Sequence, residues 1–303
     1  MMKVPARIWR GCLGVSLLLI AGSGCYRPPA SRSAADEPVA VQYLNIPTRS
    51  PEAIGGKAFA KRISAPDIFE REGEICRQIL AGNVPSFSRT LTPVRFRGHA
   101  DGKDQMITLF VACDYLAIGS TEDYFYAPLT PLAAQFLATR LDCTLPTSGM
   151  VDLIYEAAEL RLKPQPIPPS DSMTTVAVFL QHNDSVRAQI AATGLQRSPE
   201  TLVAGHKKDL VISNKIYDHH KNTGRVVIYG WHRGPGLPIQ PEYNGHHENY
   251  ADYSHGVRLI ANEMLINGKV FRIPDILKNP ALAPLLTNGG IIRKPFYPAK
   301  AFF

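Results

Sequence analysis

Four prolines within seven residues, in Lys163-Pro164-Gln165-Pro166-Ile167-Pro168-Pro169, punctuate this 303-residue chain near its middle. Each proline fixes its own φ and lacks an amide N–H, so the stretch can form neither helix nor central strand. It reads as a stiff surface crossing, or as a sub-boundary near residues 163–172 of a single domain spanning 66–303. Before it, residues 66–80 place Ile68, Phe69, Ile75, Ile79 and Leu80 near one helical face, and Gly82-Asn83 stops the helix. Val94-Arg95-Phe96-Arg97 alternates, residues 98–103 look like a hairpin turn, and residues 106–111 form a buried strand. Further short strands are expected near 115–118 and 124–126. Thr130-Pro131 is a capping hydroxyl followed by a proline at the first helical position. Thr147 or Ser148 starts another helix, with Met150, Val151, Ile154, Tyr155 and Ala158 on one face. After the prolines, residues 174–192 read as helix. Apolar runs at 209–213, 225–229, 256–261 and 264–273 then read as strands. The expected fold is α+β, a mixed and largely antiparallel sheet with helices grouped in the middle of the chain.

The N-terminus carries a different signal. Lys3, Arg7 and Arg10 precede an uncharged, largely apolar stretch at residues 11–24. At ~1.5 Å per residue this spans roughly 21 Å as a helix, short of the ~30 Å hydrocarbon core. Residues 1–24 therefore read as a signal peptide. The segment Ala21-Gly22-Ser23-Gly24-Cys25 resembles the lipobox of bacterial lipoproteins, with Gly22 where that pattern has an aliphatic residue. The resemblance implies cleavage before Cys25, lipid on its thiol and a membrane anchor at the cell envelope, plain secretion being the alternative. Residues 25–65, with Arg27-Pro28-Pro29 and scattered Pro and Gly, read as the lipid-attachment cysteine and a flexible tether.

Removing Cys12 and lipidating Cys25 leaves Cys76, Cys113 and Cys143. An odd number permits at most one disulfide, and no CxxC or Cys/His zinc spacing is present. The formal net charge is +7, three units of it in the expected signal peptide. The remaining Lys and Arg are scattered, with no basic stripe or recognition motif, so no nucleic-acid partner is expected.

Eight of the nine histidines lie between His182 and His255. Three clusters stand out: Gly205-His206-Lys207-Lys208-Asp209, Tyr229-Gly230-Trp231-His232, and Tyr250-Ala251-Asp252-Tyr253-Ser254-His255-Gly256-Val257-Arg258. With Asp114-Tyr115-Leu116-Ala117-Ile118-Gly119-Ser120, Leu129-Thr130-Pro131 and Leu145-Pro146-Thr147, they resemble a family of exported bacterial proteins over roughly residues 66–290. That resemblance implies a shared fold and export but lends no activity.

The residues themselves leave several chemistries open. His206, His232 and His255, with Asp209 or Asp252, could hold zinc if their strands converge. Cys143 before a helix, followed later by His255, resembles the cysteine peptidases of the NlpC type, although Leu145-Pro146 intervenes and Gly149 is displaced. Metal-free acid–base chemistry would use His255, Asp252, His206 and Asp209 for proton transfer. Lys208 and Arg258 would then bind or stabilise negative charge, and Trp231 with Tyr229 and Tyr243 would stack on a sugar face. The expected activity is hydrolysis of an amide or glycosidic bond in envelope or extracellular polymer, with His255 as base. The alternative is a non-catalytic envelope lipoprotein that binds a glycan or a protein partner. Structural roles compete throughout, since buried histidines are usually satisfied core residues and Asp252 could pair with Arg258 to hold a turn.

Overall fold

The computed structural model describes residues 39–195, 197–218 and 224–298; the expected signal peptide, Cys25 and His219-His220 lie outside these residues. The first half of the chain runs β1 (Gln42–Tyr43), α1 (Gly56–Arg62), α2 (Ile68–Leu80), β2 (Thr90–Ala100), β3 (Lys103–Ala112), β4 (Ala117–Gly119), β5 (Tyr124–Tyr126), α3 (Pro131–Arg140), β6 (Cys143–Thr144) and α4 (Ser148–Ala157). It continues with β7 (Leu160–Arg161), α5 (Val176–Ala192), β8 (Val203–Ala204), β9 (Lys208–Leu210), β10 (Ile228–His232), β11 (Pro238–Tyr243), β12 (His255–Gly256), β13 (Ile260–Ile266), β14 (Lys269–Arg272) and α6 (Ile273–Lys278). The fold is α+β with mostly antiparallel sheets.

One sheet has the order β1-β2-β3-β13-β14, with β6 also on β13. Its spine is the β2–β3 hairpin, paired without a break from Leu91↔Ala112 to Ala100↔Lys103. Asp101-Gly102 closes it with φ 52° and 70°. Two positive φ values give the primed turn whose twist suits paired strands, so the turn is tighter than the 98–103 loop expected. The same device ends β13: Asn267-Gly268 has φ 51° and 78° and returns the chain into β14. Residues 264–273, expected as one strand, are therefore a hairpin.

The second sheet, β11-β10-β9-β12, carries the histidine clusters. Its edge strand β11, not among the expected strands, contains Pro238 and Pro241, which an edge tolerates. The helices begin where short polar side chains cap them. Asp67 accepts from Phe69 N and Glu70 N, and Thr130, Thr147 and Thr175 cap α3, α4 and α5. On α2 the buried face is Ile75, Cys76 and Ile79 together with Arg71 and Glu72, while Phe69 is 58% exposed.

The flexible tether does not extend to residue 65. Leu44, Phe59, Ala60 and Ile63 are buried in the common core. Gly56 opens α1 so close to β5 that a Cβ there would lie 2.5 Å from Tyr124 C. The helix was missed because only Phe59, Ala60 and Ile63 mark its buried face. The core joins residues from both sides of the proline segment, such as Phe110, Val151, Leu210 and Val257. That segment crosses the surface and is clipped by Tyr253, whose hydroxyl oxygen accepts from Ile167 N at 2.8 Å.

Candidate functional site

Strands β9, β10 and β12 bring the three histidine clusters side by side. β12 runs parallel to β9 with His255↔Lys208 and Gly256↔Asp209, and β10 runs antiparallel with Tyr229↔Asp209 and Gly230↔Lys208. Adjacency in the sheet does not bring the imidazoles together. Among the described residues no group of three or more His, Cys, Asp or Glu side chains is disposed to hold a metal ion. His206, His232 and His255 each sit beside a different carboxylate, so they are not the zinc ligand set the sequence suggested.

His206 is fully buried, with Nε2 3.2 Å from Asp114 Oδ1. Asp114 also accepts from the Tyr126 hydroxyl at 2.6 Å and from Tyr115 N at 2.7 Å, and its Oδ2 lies 2.7 Å from Arg197 Nη2. Burial pushes the Asp114 pKa up, but Arg197 and His206 more than offset it and hold the carboxyl well below its usual range. Burial lowers His206 despite Asp114. Enclosed by the Tyr115 and Tyr126 rings, His206 is part of the interior rather than a catalytic acid or base.

Asp209 and Arg258 are interior as well. Asp209 accepts from the Tyr115 hydroxyl at 2.7 Å and faces Arg258 Nε at 3.7 Å; burial pushes its pKa up to about 6. Arg258 donates to Ala112 O at 2.8 Å and Val203 O at 2.7 Å, with its guanidinium over the Tyr115 ring. It clamps three segments and neither reaches a ligand nor pairs with Asp252. His232 turns onto α4, with Nε2 2.9 Å from Asp152 Oδ1 and its ring stacked on Tyr155. Tyr229 donates to the same oxygen at 2.8 Å. Cys143 is buried and its thiol is pushed up to about 12 by burial, so no thiolate forms there. Cys76, Cys113 and Cys143 are all free.

The remaining constellation is Asp252, Ser254, His255 and Lys208, roofed by Tyr250 and His246. His255 is 1% exposed, and among the described residues both of its ring nitrogens lack a hydrogen-bond partner. Burial pulls its pKa down to about 4, with Asp252 opposing and Lys208 assisting, so the ring is neutral near pH 7. Asp252 Oδ1 accepts from Ser254 N at 2.8 Å and Ser254 Oγ at 2.6 Å, and Oδ2 accepts from the Tyr250 hydroxyl at 3.2 Å. Burial alone would raise Asp252, but its net shift is downward. The lowering comes from the charge of His255, from the Ser254 hydrogen bonds and from Lys208.

Lys208 is half-buried, its ammonium 4.9 Å from the Trp231 ring. Trp231 reaches that position through a left-handed backbone: its φ is 58° and that of Gly230 is 110°. For a bulky residue this costs on the order of 1–3 kcal/mol, a strain found mostly at functional sites. Its indole donates to His206 O at 3.2 Å and is only 5% exposed, so it supports Lys208 rather than offering a face to a ligand. Beneath, Lys207 is fully buried and donates to Tyr253 O at 2.6 Å, with His182 Nδ1 3.2 Å away. Burial lowers it to about 7. Over His255 the Tyr250 ring stands edge-on at 5.7 Å, and His246 stacks on Tyr250 at 4.1 Å. His246 is thus part of the roof.

Sequence reasoning missed Asp114, Asp152 and Tyr250 beside His206, His232 and His255, Arg197 as the counter-charge of Asp114, and His182 beside Lys207. Asp152 had one usable signal, an acid set between Val151 and Leu153 in the apolar stretch of α4. No protein family, curated protein or solved structure matches the chain.

Proposed function

We propose that the chain is an exported, lipid-anchored hydrolase of amide or glycosidic bonds in envelope or extracellular polymer, with His255 as general base. The N-terminal pattern ending at Cys25 supports the location. The observation that carries the chemistry is the buried, neutral His255 imidazole, whose two nitrogens have no hydrogen-bond partner among the described residues and, unlike His206 beside Asp114, no ion-pair contact there. Leaving such groups unpaired costs roughly 1–3 kcal/mol each, an expense that a substrate or attacking water offsets on binding. Asp252 would stabilise the imidazolium formed when His255 takes a proton, and Lys208 would stabilise negative charge developing on the reacting group.

The test is turnover by the full chain on cell-wall glycans, wall peptides and soluble polysaccharides, compared with His255→Gln. Loss of activity by about 10²-fold or more is expected. The base must be unprotonated, so the rate should fall as pH drops through about 4 and stay level from there to neutrality. Unchanged turnover in His255→Gln would overturn the base assignment. Binding of a polymer with no turnover at all would make the protein a non-catalytic envelope lipoprotein.

A further inference from the structure

From the roof of the site a row of rings runs outward. Tyr250 stands over His255, His246 stacks on Tyr250 with an interplanar angle of 17°, and Tyr243 meets His246 edge-on at 5.5 Å. Tyr243 is 45% exposed at the end of β11, so the row runs from an exposed ring to the one that covers the buried imidazole. Gly245 lets it form: a Cβ there would lie 1.8 Å from the Tyr243 hydroxyl, so any side chain would push that phenol aside.

The edges of the same sheet indicate what kind of polymer the row receives. Extended peptides are commonly held by strand addition, which needs a free edge with N–H and C=O groups to offer. At one edge, two of the residues of β11 are prolines, Pro238 and Pro241, and lack the N–H. Beyond the other edge, Leu116 N donates to Val257 O and Ala112 N to Leu259 O. Tyr115 covers β12 so closely that a Cβ on Gly256 would lie 2.6 Å from its ring. Recognition therefore falls to side chains: ring faces for apolar C–H surfaces, with phenol, imidazole and ammonium groups at their margins for hydroxyls. That combination fits a pyranose ring.

We infer that the ring row Tyr243–His246–Tyr250 is a carbohydrate-binding track that ends over His255. This rests on the hydrolase reading for the role of His255, but the track is testable without it. The full chain would be run in native gels containing β-glucan, xylan or glycol chitin, beside Tyr243→Ala, Gly245→Ala and His255→Gln. Retardation by at least one polysaccharide is expected, weakened about fivefold or more in Tyr243→Ala and Gly245→Ala and kept in His255→Gln. Far-UV circular dichroism would check that the variants are folded; both substitutions lie at the surface end of β11 and the turn after it.

Absence of retardation by all three polysaccharides would overturn the inference. So would turnover of a peptide substrate that Tyr243→Ala leaves unchanged, an outcome in which the base assignment survives. Polysaccharide binding that depends on Tyr243, together with full turnover in His255→Gln, would keep the track and remove the base.

Discussion

Glu72 offers a quantitative test of how the helical layer is assembled. It lies on α2, 1% exposed, and accepts from Thr130 N and, at 2.7 Å, from Thr130 Oγ1. It therefore holds the residue that caps α3. Burial pushes its pKa up to about 7, outweighing those two bonds and the nearby charge of Arg71. The folded state thus keeps this proton over a pH range in which the unfolded chain, near the ordinary value of 4.5, has lost it. Below about pH 4.5 both states are protonated and the site costs nothing. Between about 4.5 and 7 stability falls as pH rises, by ~1.4 kcal/mol per unit, and above about 7 the cost is constant at about 3 kcal/mol.

Glu72→Gln keeps the shape and an accepting oxygen but cannot ionise. Its stability relative to the parent should therefore rise by about 3 kcal/mol between pH 5 and pH 8. Urea unfolding followed by circular dichroism at pH 5, 6, 7 and 8 gives both curves, and their difference cancels every titration the two proteins share. A difference that stays flat across this range would show that Glu72 enters the fold ionised. A difference of the opposite sign would mean that its hydrogen bonds outweigh burial.

Two further outcomes follow from the buried charges and thiols. Asp114→Asn should cost about 3–5 kcal/mol near neutral pH, because Arg197 is left without its counter-charge in the interior; the Asp114 contribution is present above the ordinary carboxylate range and lost as pH falls below it, and a loss under about 1 kcal/mol in urea unfolding would refute the pairing. Iodoacetamide at pH 8 should leave Cys76, Cys113 and Cys143 unmodified in the folded protein and label all three in urea, as mass spectrometry would show, and rapid native labelling of Cys143 would revive it as a nucleophile.

The fold was legible wherever one residue type has one local use. Thr130-Pro131 and Thr147 started helices as expected, and the alternation at 94–97 marked β2. Errors came where two signals overlapped. Asn267-Gly268 is a primed turn inside an apolar run, and β11 has prolines that argue against a strand until it is known to be an edge. Leu44 and Phe59 belong to the core although proline and glycine around them look like a tether.

For the site, the strings around His206, His232 and His255 did converge on one sheet, since each contains a strand end. Which histidine faces a ligand was not legible. That depends on partners far away in sequence, such as Asp114 for His206 and Asp152 for His232, and on the positive φ of Gly230 and Trp231, where the β10–β11 register shifts. Spacing along a chain carries no record of such distant pairings.

The pairing of β3 with β13 joins Ile107 to Ile266 and Val111 to Ile260. During synthesis, then, β2 and β3 emerge long before the strand that covers β3's apolar flank. Until residues 260–266 arrive, that flank is an open ladder of N–H and C=O groups on a hydrophobic strand, which invites pairing between chains. In the exported reading proposed above, this delay would keep an incomplete domain from locking before it crosses the membrane. The same dependence makes truncation hazardous: a product stopped before residue 260 would aggregate through β3 rather than yield a smaller folded unit.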